Sequence, residues 1–345
     1  MPKRYTYYRQ KKFVWRFPKK KNPADASSSD PPPPPPPWVE LPRDITANIL
    51  HRLGTIDVLQ TALKVCSTWR SVCLDPAMWR VIDMSSSDRL HSPALKAMCR
   101  YAVDLSQGQL VDISIEDFGT DDLVLYIAQR ANQLRRLRLV SCYTVSSECL
   151  CKAATEFPLL QELQIYFSNI SSEGIKVVGR SCPLLKSFTF DKYGSISPIE
   201  CDDEALAIAE NMHGLHHLAL FGNKITNKGV QAILDGCPHL ESLDLRRCFN
   251  VTLEEGDLGV RCSQRIKNLR CPNDSTSDYE FCDYVDDDDD YYGSDGFPDY
   301  YDYDYDDYFA YDDYTDPFSH EYLEMDDDYS SIPLVSKNTD FVVFI

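Results

Sequence analysis

The sequence has no long apolar run and no recognisable catalytic motif. Its N-terminal residues are basic and aromatic where a secretory signal would be apolar, so we expect neither a signal peptide nor a membrane partner. The patterns G-x-x-x-x-G-K-[ST], H-E-x-x-H and G-x-S-x-G are missing, and nothing therefore indicates a nucleotide, zinc-protease or serine-hydrolase site. The sequence predicts a binding protein in the nucleus, the cytoplasm or both, with no cofactor and no enzymatic activity of its own.

Paired cysteine spacings are also lacking. The 13 cysteines are odd in number, scattered along the chain, and never separated by the two residues typical of a zinc site. Without a secretory signal they indicate a reducing compartment. We predict free, buried thiols and no bound metal.

Positive charge is absent from one long stretch, which explains most of the net charge of −19. Residues 283–329 hold 20 of the 54 acidic residues and no Lys or Arg, whereas the other 34 acidic residues are matched by 35 Lys and Arg. Because dense like charge repels itself, we predict a disordered Asp- and Tyr-rich tail over 274–329, before a short apolar C-terminus at 330–345. The remaining chain is nearly neutral and does not indicate a nucleic-acid partner.

Residues 1–37 read as a basic leader followed by a linker. Lys, Arg and aromatic residues are interleaved as far as Lys21. This pattern fits a nuclear-import or nucleic-acid-binding arm, or a solvated disordered leader, and we favour the second. The unbroken run Pro31–Pro37 predicts a polyproline II spacer.

Residues 38–84 form an apolar, mainly helical module. The first predicted helix starts at Leu41-Pro42, because proline is tolerated in a first turn. It carries a stripe with helical spacing at Ile45, Ile49, Leu50 and Leu53.

Two more short helices are predicted in this module. Gly54 ends the first helix, Asp57 is the predicted N-cap of the second, and Ser67 or Thr68 begins the third. Three short helices form a core too small to be comfortable alone, so we expect a partner to complete it.

A repeat follows over residues 105–271. Its unit is apolar, two residues, apolar, one residue, apolar, and successive units start 24 to 30 residues apart. Starting positions are Leu110, Leu134, Leu160, Leu185, Leu215, Leu240 and Ile266. This is the leucine-rich-repeat period, and we predict about six strand–helix units with the last one degenerate.

Two further positions recur within the unit. Asn223 completes the pattern L-x-x-L-x-L-x-x-N, and Cys142 and Cys248 occupy the same slot, where a small polar side chain is expected to satisfy backbone groups at the turn. In the helical half, Gly174 and Gly229 are predicted to let the chain turn into the helix, and a Cys-Pro pair ends it.

One unit is longer than the others. Between Leu185 and Leu215 the spacing is 30 residues, and insertions in a solenoid form loops that often bind partners. The candidate contacts are Tyr193, Ile196, Ile199, Asp202, Asp203 and Glu204. A harmless surface insertion is the alternative.

The order of residues in the module resembles an F-box. The motifs are W-x-E-L-P from Trp38, V-C-x-x-W-R from Val65 and D-P-x-M-W-R from Asp75. With the repeats behind it, the chain resembles the plant F-box/leucine-rich-repeat proteins of the SKIP-like type. The resemblance implies an α/β fold, in which a small three-helix F-box precedes a short strand–helix solenoid.

The resemblance also implies a function: a non-catalytic substrate receptor of an SCF (Skp1–cullin–F-box) ubiquitin ligase. The F-box would bind a Skp1-like adaptor, and through it a cullin, while the repeats hold an unknown protein substrate. Residues implied to meet the adaptor, or to support that surface, are Leu41, Pro42, Ile45, Leu59 and Trp69. Residues assigned to packing inside the F-box are Ile49, Leu53, Val65, Cys66 and Trp79.

The alternative function is a leucine-rich-repeat scaffold whose helical module binds another partner, outside ubiquitination. Association with a cullin complex separates the two. A nuclear factor working through its basic arm and acidic tail is a third, weaker hypothesis.

Overall fold

The computed structural model describes residues 41–85, 92–168, 170–192, 200–254 and 257–281. The predicted leader and linker, three candidate contacts (Tyr193, Ile196, Ile199), the acidic tail from residue 282 and the apolar C-terminus lie outside these ranges. All the helices and strands of the described ranges lie within one compact unit, which begins at Pro42.

The helical module contains three short α-helices, each of one or two turns. They are α1 (Arg43–Leu50), α2 (Thr55–Gln60) and α3 (Ser67–Cys73), with 3₁₀ turns at Ala62–Lys64 and Pro76–Trp79. The N-cap of α2 is Gly54, so the prediction that Asp57 caps it was wrong, and Asp57 lies in the first turn instead. There its negative charge faces the positive end of the helix.

Eight parallel strands follow one another in sequence order in a single sheet. They are β1 (Val81–Met84), β2 (Asp112–Glu116), β3 (Arg136–Val140), β4 (Glu162–Tyr166), β5 (Ser187–Asp191), β6 (His217–Ala219), β7 (Ser242–Asp244) and β8 (Asn268–Arg270). The helices between them are α4 (Ser92–Leu105), α5 (Asp121–Ala128), α6 (Ser147–Thr155), α7 (Ser172–Ser181), α8 (Asp203–Asn211), α9 (Asn227–Gly236) and α10 (Asp257–Arg265). The predicted strand–helix solenoid is confirmed.

The sheet begins earlier than the predicted repeats. Strand β1 lies inside the residues assigned to the F-box, and Ile82 pairs in register with Ile113 of β2. The predicted start at residue 105 was too late because β1 lacks the full apolar pattern that marks the later units.

A column of apolar residues runs through every strand of this sheet. In register it comprises Ile82, Ile113, Leu137, Leu163, Phe188, Leu218, Leu243 and Leu269. All except Leu269 are buried, and they pack with the apolar sides of the helices in one continuous core. Each unit buries its apolar face only against its neighbours, which is the physical basis of a solenoid.

The recurring polar slot works as predicted. The side-chain amide of Asn223 donates to the carbonyl oxygens of Phe190, at 2.7 Å, and of Phe221, at 3.3 Å. In the same slot the thiol of Cys248 donates to the Leu220 carbonyl at 2.7 Å, and that of Cys142 to Val140 at 3.3 Å. In these three units a small polar side chain thus satisfies the backbone where the strand ends.

The glycines of the helical halves have a different role from the predicted one. Gly229 lies inside α9, and a Cβ atom there would stand 2.5 Å from Oδ1 of Asp202 in the neighbouring unit. At Gly236 a Cβ atom would stand 2.1 Å from the carbonyl oxygen of Ala209. These glycines allow adjacent helices to approach closely, and neither has the positive φ that a turn would require.

Eight of the twelve cysteines in the described ranges are buried. Burial raises the pKa of Cys182 to about 12 and that of Cys237 to about 11. These thiols stay protonated and behave as small apolar side chains. Within the described ranges, no helix is both long and apolar enough to cross a bilayer.

Candidate functional site

Helix α1 exposes two isoleucines on one face. Ile45 and Ile49 lie one helical turn apart, and 43% and 42% of their surfaces are accessible. The helix packs through its other face, where Thr46 and Leu50 are buried. An α1 face with two adjacent branched apolar side chains in water favours burial against a partner.

An ion pair fixes the start of α1 against the end of α3. The Arg43 guanidinium lies 2.8 Å from a carboxylate oxygen of Asp75 and donates to the Ser71 hydroxyl at 3.0 Å. The hydrogen bond from Arg43, together with that from the amide of Ala77, lowers the pKa of Asp75 below its ordinary value. Both partners are largely exposed, so this pair orients the α1 face without adding much stability.

A cavity of about 320 Å³ opens beside this module. It is lined by the turn after α1, including Leu53, by the first turn of α2 and by Met78 and Trp79. The Trp79 indole is buried and donates to the Cys73 carbonyl at 2.7 Å. Trp79 therefore connects the last 3₁₀ turn to α3 and forms one wall of the cavity.

The second surface is the open face of the sheet, formed by strand residues that alternate with the core residues. Residues 275–281, here named the strap, cross this face near the carboxyl ends of the strands. The Tyr279 ring stacks on Phe221, with centroids 3.9 Å apart and planes 4° from parallel, and its hydroxyl donates to the Asp191 carboxylate. Phe281 meets the edges of Tyr166 and Phe167, with each pair of centroids 5.1 Å apart. The strap anchors through two aromatic side chains.

The acidic side chains of the strap pair with arginines of the open face. Asp278 lies 2.6 Å from the guanidinium of Arg246 and 2.8 Å from that of Arg270. Glu280 lies 2.6 Å from Arg138 of β3. Desolvation opposes ionisation of Asp278, but the charges of Arg246 and Arg270, together with the hydrogen bonds that the carboxylate accepts, outweigh it and leave the pKa below its ordinary value. Along the strap, acidic side chains that pair with arginines therefore alternate with aromatic side chains that pack on aromatic residues of the open face.

Two family models match the chain. The F-box-like model matches residues 38–85, and the Leucine Rich repeat model matches residues 211–234. The F-box protein SKIP19 of Arabidopsis thaliana is 47% identical over 274 residues, which cover 77% of this chain and 89% of that protein. The chain belongs to the plant F-box/leucine-rich-repeat family.

Other relatives differ in length. Putative F-box/LRR-repeat protein 23 of Arabidopsis thaliana is 51% identical over 242 residues, which cover 69% of this chain and 54% of that protein. This F-box/leucine-rich-repeat chain therefore spans about half the length of that relative. A chain from the crystal structure of the Rad7 and Elc1 complex in yeast aligns with a TM-score of 0.45 and 16% identity, over 66% of this chain and 59% of that chain. That likeness is too remote to support a function.

The F-box residues implied to meet the adaptor differ in exposure. Pro42 and Ile45 are exposed and Leu41 is half-buried. Leu59 is only 1% accessible, and Trp69 packs against the core, so these two support the F-box surface from within. Pro42 and Ile45 are therefore accessible to a partner.

Three assignments to internal packing were wrong. Ile49, Leu53 and Val65 are all exposed, whereas Trp79 is buried and Cys66 is half-buried. In the F-box, Cys66 accepts a hydrogen bond from the Trp69 amide and so caps α3. Helical spacing identified the apolar residues of α1, but spacing alone does not distinguish a core from an interface.

The described part of the long insertion is mostly structural. Both carboxylate oxygens of Asp202 accept hydrogen bonds from Thr226, one from its amide and one from its hydroxyl, each at 2.8 Å. Glu204 is 7% accessible and pairs with Lys192, and so cannot serve as the predicted contact. Among these three acidic candidates Asp203 is exposed.

The strap was missed because the predicted disordered tail started at residue 274. That boundary was wrong for residues 274–281, which are packed against the repeats. The signal in the sequence was the alternation Asp278, Tyr279, Glu280, Phe281 opposite arginines at outward-facing positions of the repeats. The high density of acidic residues over 274–329 led us to predict disorder for the whole segment, including this alternation.

Proposed function

We propose that this F-box/leucine-rich-repeat protein is the substrate receptor of an SCF-type ubiquitin ligase. The F-box binds a Skp1-like adaptor, the adaptor joins a cullin, and the repeats hold the protein to be ubiquitinated. Receptors of this kind carry out no bond chemistry. They raise the effective concentration of substrate lysines near the conjugating enzyme.

The exposed face of α1 carries the proposal. Ile45 and Ile49 remain in water in a chain that buries the apolar residues on the other side of the same helix. Covering both side chains on binding would stabilise a complex by about 1–3 kcal/mol each at ordinary area values. The continuous core between the F-box and the sheet then holds the adaptor and the repeats at a fixed spacing.

The experiment is a pull-down of a Skp1-like adaptor by the full chain. We expect the double variant Ile45→Glu/Ile49→Glu to reduce adaptor binding by at least about tenfold, because it places two charges in the interface. Val260→Glu places a charge at an apolar side chain of α10 that is 55% accessible and lies outside the F-box, and is the matched control, for which we expect wild-type binding. Thermal unfolding of each variant shows that the fold is kept. Wild-type binding by the folded double variant would contradict the proposal.

The scaffold function outside ubiquitination predicts a different result. A scaffold would not retain a cullin, whereas a substrate receptor brings down the adaptor and the cullin together. Absence of a cullin from the wild-type complex, with the adaptor present at saturating concentration, would favour the scaffold.

A further inference from the structure

The open face of the repeats is equipped to bind an acidic and aromatic segment. Arg138 on β3 and Arg270 at the end of β8 stand at the two limits of the part of this face that the strap covers, with Arg246 between them. Arg246 is held by its own hydrogen bonds to both carboxylate oxygens of Asp244, and its side chain is 8% accessible. A guanidinium fixed in this way is an oriented partner for another carboxylate.

Aromatic walls lie between these arginines. Phe221 stacks on one ring of the strap, and Tyr166 and Phe167 receive the other. Asp191 is fully buried at the floor of the face and accepts the phenol of Tyr279. The face therefore selects a hydroxylated ring at one position, a second ring two residues later and acids beside both.

The strap is held through side chains. Its main-chain contact to the arginines is the Ser275 carbonyl, which accepts from Arg246 at 3.1 Å. Residues 275–281 form no strand with the described sheet, and its two acids, Asp278 and Glu280, are 52% and 60% accessible. Ion pairs whose carboxylates remain in water contribute modest stability, and the absence of a backbone ladder leaves the strap exchangeable for another segment of the same chemistry.

We propose that the open face is a recognition groove for an acid–aromatic–acid–aromatic segment of the protein to be ubiquitinated, and that the strap is an intramolecular occupant which this segment displaces. This inference rests on the proposed function as a substrate receptor. Residues 271–274 tether the strap directly to β8, which gives it a high effective concentration over the groove. Only a segment with a closer match, or one present in several copies, then gains access.

The chain itself contains more sequence of this composition. Residues 299–308 read DYYDYDYDDY and repeat the alternation of acids and tyrosines. A peptide with this sequence tests whether the groove recognises the chemical class, and a peptide of residues 275–281, STSDYEF, tests recognition of the strap itself.

The test uses the full chain and fluorescein-labelled STSDYEF. In the strap-released variant Tyr279→Ala/Phe281→Ala we expect binding at least about tenfold tighter than in the wild type, because the strap no longer covers the groove. Adding Arg138→Gln to the released variant should weaken binding again, and the peptide STSNYQF, which lacks both charges, should bind more weakly than STSDYEF. Glu210→Gln removes an exposed acid of α8 and should leave the wild-type result unchanged.

The conservative variant Tyr279→Phe guards against misfolding. It keeps the ring on Phe221 but removes the hydrogen bond to Asp191, and should give peptide affinity between those of the wild type and the released variant. Equal peptide binding by the wild type and the released variant would show that the strap does not block the groove. No peptide binding by a released variant with wild-type circular dichroism would show that the face does not bind such a segment. Either result would overturn the inference.

The two proposals fail separately. The peptide assay contains no adaptor, and the adaptor pull-down does not need a vacant groove. Loss of peptide binding with adaptor capture intact refutes only the groove, whereas loss of adaptor capture refutes the receptor function itself.

Discussion

The amide of Asn223 donates a hydrogen bond to the carbonyl of Phe190, which lies 33 residues earlier in the preceding repeat. Both groups are buried, since Asn223 is 1% accessible and Phe190 is fully covered. The bond joins two units at the point where their strands end. Asn223 therefore stabilises the stacking of repeats and does not take part in recognition.

We expect Asn223→Ala to reduce the free energy of unfolding by about 1–3 kcal/mol, because the Phe190 carbonyl is left buried and unsatisfied. Asn223→Cys should cost less, since Cys142 and Cys248 fill the same slot in other units. Asn250→Ala is the control: its amide also donates to a neighbouring carbonyl, Lys224, but is exposed. Urea unfolding measures all three, and equal losses for Asn223→Ala and Asn250→Ala would contradict the argument.

The repeat region was predictable because its signal is both local and periodic. Each unit repeats the same apolar spacing, so a single pattern predicts the buried column of the sheet and the polar slot beside it. The contacts of the strap are of another kind. Arg138 and Glu280 are 142 residues apart, and no local pattern predicts that they meet.

The interval between helices α8 and α9 is set by a glycine. At Gly236→Ala the new Cβ atom would overlap the Ala209 carbonyl, which is backbone and cannot rotate away. We expect a loss of about 1–3 kcal/mol in unfolding free energy, from the shift that the helix must make. Gly214→Ala is the matched control, since its Cβ atom would lie 3.6 Å from the nearest atom, an ordinary contact. Equal melting temperatures for the two variants would show that the helices separate without cost.

Leu59 and Ile45 should separate internal support from direct contact in the F-box. Leu59→Ala removes a buried side chain of α2 and should lower the free energy of unfolding by about 2–5 kcal/mol. Ile45→Ala changes a side chain that is 43% accessible and should lower it by less than about 1 kcal/mol. Thermal melts and adaptor pull-downs on both variants check this. A strongly destabilised Ile45→Ala would mean that α1 packs through the face now assigned to the adaptor.

Two neighbouring residues of α1 show why the sequence alone did not predict which side of this helix is buried. Ile49 is 42% accessible and Leu50 is fully buried, although both are large, apolar and part of the same predicted stripe. The buried side of a short helix depends on where the rest of the module packs. That geometry is set by contacts of α1 with α3, which are distant in sequence from α1 itself.

The buried thiols predict how stability changes at alkaline pH. Desolvation raises the pKa of Cys182 to about 12 and that of Cys237 to about 11, and both return to about 8.5 on unfolding. Above that pH the unfolded chain releases protons that the folded chain retains, so the free energy of unfolding falls as pH rises, by up to about 1.4 kcal/mol per pH unit for each thiol. The double variant Cys182→Ala/Cys237→Ala should therefore show a shallower fall between about pH 8.5 and 10.5 in urea unfolding. Parallel pH profiles for the variant and the wild type would mean that these two thiols ionise in the folded chain, contrary to their burial beneath the Cys-Pro helix ends.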